Sequence, residues 1–319
     1  MRLTKAALIL VLIFAAIDVA NAQFDGLFSQ YMHTKQYYNP AAICELDMMK
    51  VQVGQRLDWI GIKNAPKTTL LTAAVPFDIR KTSHAAGIEF ISDIYGIFAN
   101  QQFNIQYAYR HKFKDVGTLS VGLNIGMVNL ICYGDSIHMV ESDYHTPANS
   151  DPAIPIGTQS GVGFDMGAGI AFTAKSWYAG IGLLHIPGAN VRLGDKYHYR
   201  IRQTLSVMGG YNWQLNNEKY TIKPSMAIHS DFTTWQLQIS ALLDYNDRFW
   251  GGIAYSVQDA VSIILGAEII TGLKIGYNYD IPASQMIRAT HGSHEIFISY
   301  EFNIYSGHQD SKQKSIRFL

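Results

Sequence analysis

Between residues 162 and 172 every even position is apolar: Val162, Phe164, Met166, Ala168, Ile170 and Phe172. The odd positions hold Gly163, Asp165, Gly167, Gly169 and Ala171. A period of two gives an extended strand with one greasy face and one small or charged face. The pattern recurs nearly end to end: Leu119, Val121, Leu123, Ile125 and Met127 oppose Ser120, Gly122, Asn124 and Gly126, and Trp235, Leu237, Ile239 and Ala241 oppose Gln236, Gln238 and Ser240. Near the end, Ile296, Ile298, Tyr300 and Phe302 alternate with Glu295, Phe297, Ser299 and Glu301. Almost no stretch carries a helical period. Such a chain closes a sheet with a wet interior and a lipid-facing exterior, or folds as a soluble sandwich with its apolar faces buried.

Charge and loop length separate the two. Extended segments are expected at 48–57, 67–77, 85–93, 100–111, 117–131, 161–173, 177–185, 201–212, 218–230, 234–246, 249–257, 261–268, 271–280 and 293–304. Each is long enough to cross a bilayer as a tilted strand. The three longest connections are the fifth, seventh and thirteenth, so in a meander they leave the same rim, while even connections are tight; outer-membrane barrels have this asymmetry. Twelve charged residues lie in phase with the polar face: Lys50, Arg56, Arg110, Arg202, Lys223 and Lys274, with Glu89, Asp165, Asp244, Glu268, Glu295 and Glu301. On the lipid face an Arg or Lys would cost about 2–4 kcal/mol at the midplane. The expected fold is therefore all-β, a transmembrane barrel of about 14 antiparallel strands in up-and-down order. Mixed signs inside suggest ion pairs across the lumen that brace or partly close it. Pro224 sits awkwardly inside the ninth segment.

The N-terminus sets basic Arg2 and Lys5 before an apolar core, then Ala20-Asn21-Ala22. This is the pattern of a secretory signal peptide over residues 1–22. Residues 23–47 are rich in aromatics without alternation; a plug in the lumen, a dock for a periplasmic partner and a simple entry strap all fit. Residues 48–304 form the barrel, and 305–319 a polar tail. A formal net charge of +0 gives no sign of nucleic-acid binding. Cys44 and Cys132 allow at most one disulfide, two unpaired thiols being the favoured reading, and form no metal-ligand spacing.

Three stretches carry a family likeness. Phe28-Ser29-Gln30-Tyr31-Met32 precedes Tyr37-Tyr38-Asn39-Pro40-Ala41; Gln55-Arg56-Leu57-Asp58-Trp59-Ile60-Gly61-Ile62 leads into Ala65-Pro66-Lys67-Thr68; and Gly276-Tyr277-Asn278-Tyr279-Asp280-Ile281 precedes Gly292-Ser293-His294-Glu295 and Ser299-Tyr300-Glu301-Phe302. In this order and spacing the mature chain resembles the PorP/SprF family of outer-membrane proteins. Lys63-Asn64 and Cys44-Glu45 depart from the family's usual pattern and leave the subgroup open. The resemblance implies a component of the type IX secretion system in the outer membrane of a Gram-negative bacterium. Its implied partners are periplasmic or outer-membrane lipoprotein subunits, secreted cargo and outer-membrane lipid, with gliding adhesins among the cargo of some members. It implies no cofactor and no small-molecule substrate.

Within this frame, Asp58, Trp59, Gly61, Pro66 and Lys67 mark a first connection that either contacts a partner or sits as an aromatic rim element. Asn39-Pro40, following Tyr38, is expected to turn the chain toward the first strand. His138 and His145 share the fifth connection with Asp135, Glu141, Asp143 and Asp151, without the spacing of a cation loop. Ser230 and His229 are adjacent and so point to opposite faces, and no nucleophile elbow is present, so no enzyme activity is expected. A general diffusion or solute-uptake channel is the alternative to a secretion component.

Overall fold

A computed structural model describes residues 25–136, 157–194 and 197–303. The strands are β1 (Met49–Leu57), β2 (Lys67–Ile79), β3 (Thr82–Tyr95), β4 (Phe98–Phe113), β5 (Gly117–Tyr133), β6 (Thr158–Thr173), β7 (Trp177–Leu184), β8 (Asn190–Leu193), β9 (Tyr197–Arg200), β10 (Thr204–Tyr211), β11 (Trp213–Gln214), β12 (Tyr220–Ser230), β13 (Trp235–Tyr245), β14 (Phe249–Ser256), β15 (Ala260–Ile270), β16 (Leu273–Pro282) and β17 (Ser293–Phe302). Each strand from β1 to β7 pairs antiparallel with the next, β7 pairs with β10, and β10 with β12. From β12 the meander continues to β17, which pairs with β1 and closes the ring. Fourteen strands thus form the wall. β11 continues β10 for two residues, and β8–β9 is a separate hairpin in the connection between β7 and β10.

Alternation sets which face is which. Val162 is 64% exposed, and Phe164, Ile170, Ile125, Ile105 and Ile253 are likewise open on the outside. A soluble sandwich would bury these side chains; a continuous apolar outer belt needs lipid. Their neighbours Asp165, Asn124, Asn104 and Gln106 are buried inside. Aromatic rings gather where the tight turns lie: Phe172 sits 5.3 Å from Trp177, and Tyr220 5.0 Å from Tyr245, as in an interfacial girdle.

Turn chemistry divides the rims. Arg80–Lys81 and Asn246–Asp247 hold consecutive residues at positive φ, the geometry whose twist suits a short hairpin. The long connections leave the opposite rim. Pro224 is accommodated at an interruption: the ladder from β10 stops at Ser225, and β11 resumes opposite Ile222 and Thr221. On the other side β12 stays in register with β13, Pro224 facing Ala241. A residue without a backbone N–H therefore stands where the sheet is already broken.

Candidate functional site: the filled lumen

The lumen is occupied by the protein's own chain. Residues 25–47 run inside the wall, with a helical turn Lys35–Tyr38 and a 3-10 helix Pro40–Glu45. Phe28, Gln30, Tyr31, Tyr37, Tyr38, Asn39, Ala41 and Ile43 are all buried, Tyr31 at 0% exposure. A packed aromatic set of Phe28, Tyr31, Tyr37 and Tyr38 meets Leu70, Ile91, Trp250 and Phe297 of the wall. None of this alternates, because the segment is surrounded on every side.

Asn39 shows why its sequence pairs with this wall. Its side chain accepts from Ala41 N at 2.9 Å, capping the 3-10 helix that Pro40 begins, and donates to Ile170 O at 3.0 Å. The wall is glycine where this turn lies. A Cβ at Gly182 would strike Tyr38 O, one at Gly169 would strike Asn39 Oδ1, and one at Gly122 the backbone of Pro40 and Ala41. Tyr38 accepts from Phe28 N at 2.7 Å and packs its ring on His229, 4.5 Å away.

Hydrogen bonds and ion pairs fix the segment at three levels. Midway up the wall, Tyr31 shares hydrogen bonds with Ser225 and Ser240 at 2.9 and 3.0 Å. Toward the long-loop rim, Arg56 Nη1 lies 2.8 Å from Asp280 and 3.0 Å from Glu295, and its Nε 2.9 Å from Asp58. Three carboxylates meet one guanidinium there, and the segment supplies further donors: Ser29 N and Gln30 N reach Glu295 at 2.7 and 3.1 Å, and Ser29 Oγ reaches Asp280 at 2.8 Å, while Ser262 and Asn278 of the wall also donate to Asp280. A second clasp joins His185 Nε2 to Asp25 at 2.9 Å and His185 Nδ1 to Asp165 at 3.0 Å, with Thr204 and Gln102 also donating to Asp25. Burial alone would lower the His185 pKa, but Asp25 and Asp165 raise it well above the ordinary range, so the ring is a cation. Burial raises Asp25 in turn, and His185 and its hydrogen bonds bring it below the usual carboxylate value. At the short-turn rim, Arg110 donates to Cys44 O at 3.0 Å and Asp47 at 3.1 Å, and Lys35 pairs with Glu45 at 2.9 Å.

Eleven of the twelve lumen charges lie on the inner face: Lys50, Arg56, Glu89, Arg110, Asp165, Lys223, Asp244, Glu268, Lys274, Glu295 and Glu301. Arg202 does not. β10 begins only at Thr204, and Arg202 stands in the connection before it with its side chain 51% exposed, paired with Asp231 at 3.0 Å. The expected pairs across the lumen are also corrected. Lys223–Asp244 and Lys274–Glu301 join adjacent strands, Arg110 reaches Asp47 of the enclosed segment, and Asp165 meets it through His185. The segment stands between opposite walls, and among the described residues no ion pair spans them.

In the first connection, Asp58 N donates to Pro66 O at 3.0 Å, Trp59 is half-buried at positive φ, and Gly61 and Lys67 are exposed. Trp59 N donates to Ser293 Oγ at 3.1 Å, while Ile60 exchanges backbone bonds of 2.8 Å with Gly292 and His291. This connection is strapped to the thirteenth at the long-loop rim. Cys44 and Cys132 are both free and buried. The fifth-connection residues His138, Glu141, Asp143, His145 and Asp151 lie outside the described residues. Among the described residues no acid, histidine or cysteine group could hold a metal.

Asp25, Ser29, Gln30, Tyr31 and His185 escaped the sequence reading as individual site residues. Only Phe28-Ser29-Gln30-Tyr31-Met32, noted as a motif, signalled part of this set.

A closed fourteen-strand antiparallel ring with an apolar exterior and a polar interior defines an outer-membrane β-barrel. Residues 20–300 match the family described as type IX secretion system membrane protein PorP/SprF, and the chain belongs to that family. It is accordingly an outer-membrane component of that secretion system. No protein of curated function matches the sequence. Among solved structures, the Ralstonia pickettii toluene transporter TbuX is similar at a TM-score of 0.52 with 11% identity, over 89% of this chain and 95% of that one. Acinetobacter baumannii Omp33 gives 0.47 with 6% identity over 80% and 98%, and a Pseudomonas aeruginosa FadL homologue 0.47 with 12% over 83% and 93%. At such identity the TbuX likeness speaks for the barrel fold alone.

Proposed function

We propose that the barrel supports export or surface delivery of cargo proteins without catalysis, through contacts with cargo and with lipoprotein subunits of the secretion machine. The observation that carries this reading is the filled lumen. A diffusion channel needs a continuous wet path, whereas Tyr31, Phe28 and Ile43 of the enclosed segment are buried on all sides between the walls. What remains for partners is the rims: the strapped first and thirteenth connections with Asp58, Trp59, Gly61, Pro66 and Lys67 on one, and the exposed Asp47 on the other. The signal-peptide pattern of residues 1–22 fits delivery to the outer membrane with cleavage near Ala22.

A deletion strain and the purified protein together test this. Loss of cargo secretion, with conductance near background in planar bilayers, is the expected result. Strong conductance of the intact protein alongside undiminished secretion in the deletion strain overturns the reading in favour of a solute channel.

A further inference from the structure

At the short-turn rim the enclosed segment and the wall leave a cavity of about 90 Å³, lined by Met32, His33, Ile43, Lys50, Gln52 and Leu70 among others. That is room for several water-sized groups. Three ammonium groups border it, and two are matched: Lys35 by Glu45 at 2.9 Å and Lys274 by Glu301 at 3.4 Å. Asp47 is taken by Arg110. Among the described residues Lys50 has no ion pair of its own and donates only a long 3.3 Å bond to His33 O. Two further polar atoms in the lining, Gln52 Nε2 and His33 Nε2, are buried without a hydrogen-bond partner among the described residues, on residues 2% and 5% exposed. Burial and the charges of Lys50, Lys274, Lys223 and Lys35 hold His33 neutral, so it adds no charge. The cavity thus offers one surplus positive charge, an unused amide donor and an apolar wall.

We propose that this cavity binds a small monocarboxylate, its head on Lys50 Nζ and Gln52 Nε2 and its short aliphatic body against Met32, Ile43 and Leu70. One surplus cation matches one negative charge. A dianion such as phosphate meets Glu45 and Glu301 with only that single surplus and is disfavoured. The half-buried Glu45 and Leu46 and the exposed Asp47 form the edge, so the site opens at the short-turn rim. The site is separate from the long-loop rim and does not depend on the secretion role.

Calorimetry on the full chain in detergent, with 4-methylpentanoate, butyrate and inorganic phosphate as probes, tests the site. One 4-methylpentanoate per barrel is expected, with weaker butyrate and no phosphate binding. Lys50→Met removes the charged hydrogen bond and should weaken binding by about tenfold or more, and Gln52→Leu by less. Heat-modifiable migration on gels verifies that each variant still forms the barrel. Absence of carboxylate binding to the folded native protein, binding unchanged in folded Lys50→Met, or tighter binding of phosphate each overturns the proposal.

Discussion

β13 and the segment it helps enclose are both apolar-rich, yet they are written differently. In β13, Leu243 and Ile239 face out and Asp244, Leu242 and Ser240 face in, and each residue's side follows from its neighbour's. In residues 25–47, Tyr37 and Tyr38 are consecutive and both are buried. The wall stands between two different solvents and needs a period of two; the segment has protein on every side and needs only shape and donors that fit. The wall should therefore tolerate loss of the segment. Carboxylates such as Glu295, which now accept from Ser29 and Gln30, would be taken over by water entering the lumen. Deleting residues 25–47 should leave a heat-modifiable barrel whose planar-bilayer conductance rises from background to that of an open pore. Gly182→Leu, which places a side chain on Tyr38 O, should raise conductance in part. A deletion protein that no longer forms a barrel would show that wall and segment fold as one unit.

Arg56 is where the two regions share a charge. With the segment in place, Arg56→Met leaves Asp58, Asp280 and Glu295 together without their cation, and loss of one partner from such a buried cluster costs about 3–5 kcal/mol. Urea unfolding in detergent should register most of that in the full chain. The same substitution in the deletion protein should cost much less, because water then reaches the carboxylates. Equal losses in both backgrounds would mean the cluster belongs to the wall alone. A substitution on the lipid side should show the opposite independence. Ile125, midway along β5 and open on the outside, loses about 2–4 kcal/mol as Ile125→Arg, with or without the segment.

The same contrast explains what was legible in the sequence. Most of the fourteen wall strands and their outward faces follow from alternation, since burial there is a local rule repeated along each strand. Loop parity placed the long connections on one rim for the same reason. Arg202 was misplaced because alternation runs on past the true start of β10 and cannot mark where pairing stops. The ion-pair partners were not legible: His185 meets Asp165, 20 residues back across the β6–β7 pair, and Asp25, 160 residues back on the enclosed segment. Asn39-Pro40 was readable as a turn, but its seat on Gly122, Gly169 and Gly182 is a fact of three separate strands.

The smallest effect expected is at the Asp25–His185 clasp, where pH acts with a definite sign. The folded pKa of His185 lies above its unfolded value, so its contribution is fully present below about pH 6.5 and is lost as pH rises through the folded value. The folded pKa of Asp25 lies below its unfolded value, so its contribution is present above about pH 3.9 and is lost as pH falls through the folded value. The clasp is therefore closed across the neutral range and weakens on either side of it, in acid as Asp25 takes up a proton and in base as His185 loses one. Brief openings of the native protein in planar bilayers should become more frequent as pH is lowered past the acid limit. In His185→Gln the cation that lowers Asp25 is gone, while burial, which raises it, remains. Protonating Asp25 then removes an unmatched buried charge, so lowering the pH from 7 toward 4 should make openings rarer. A His185→Gln protein whose openings follow the native pH trend would show that the clasp does not hold the segment, leaving the Arg56 cluster to carry its docking.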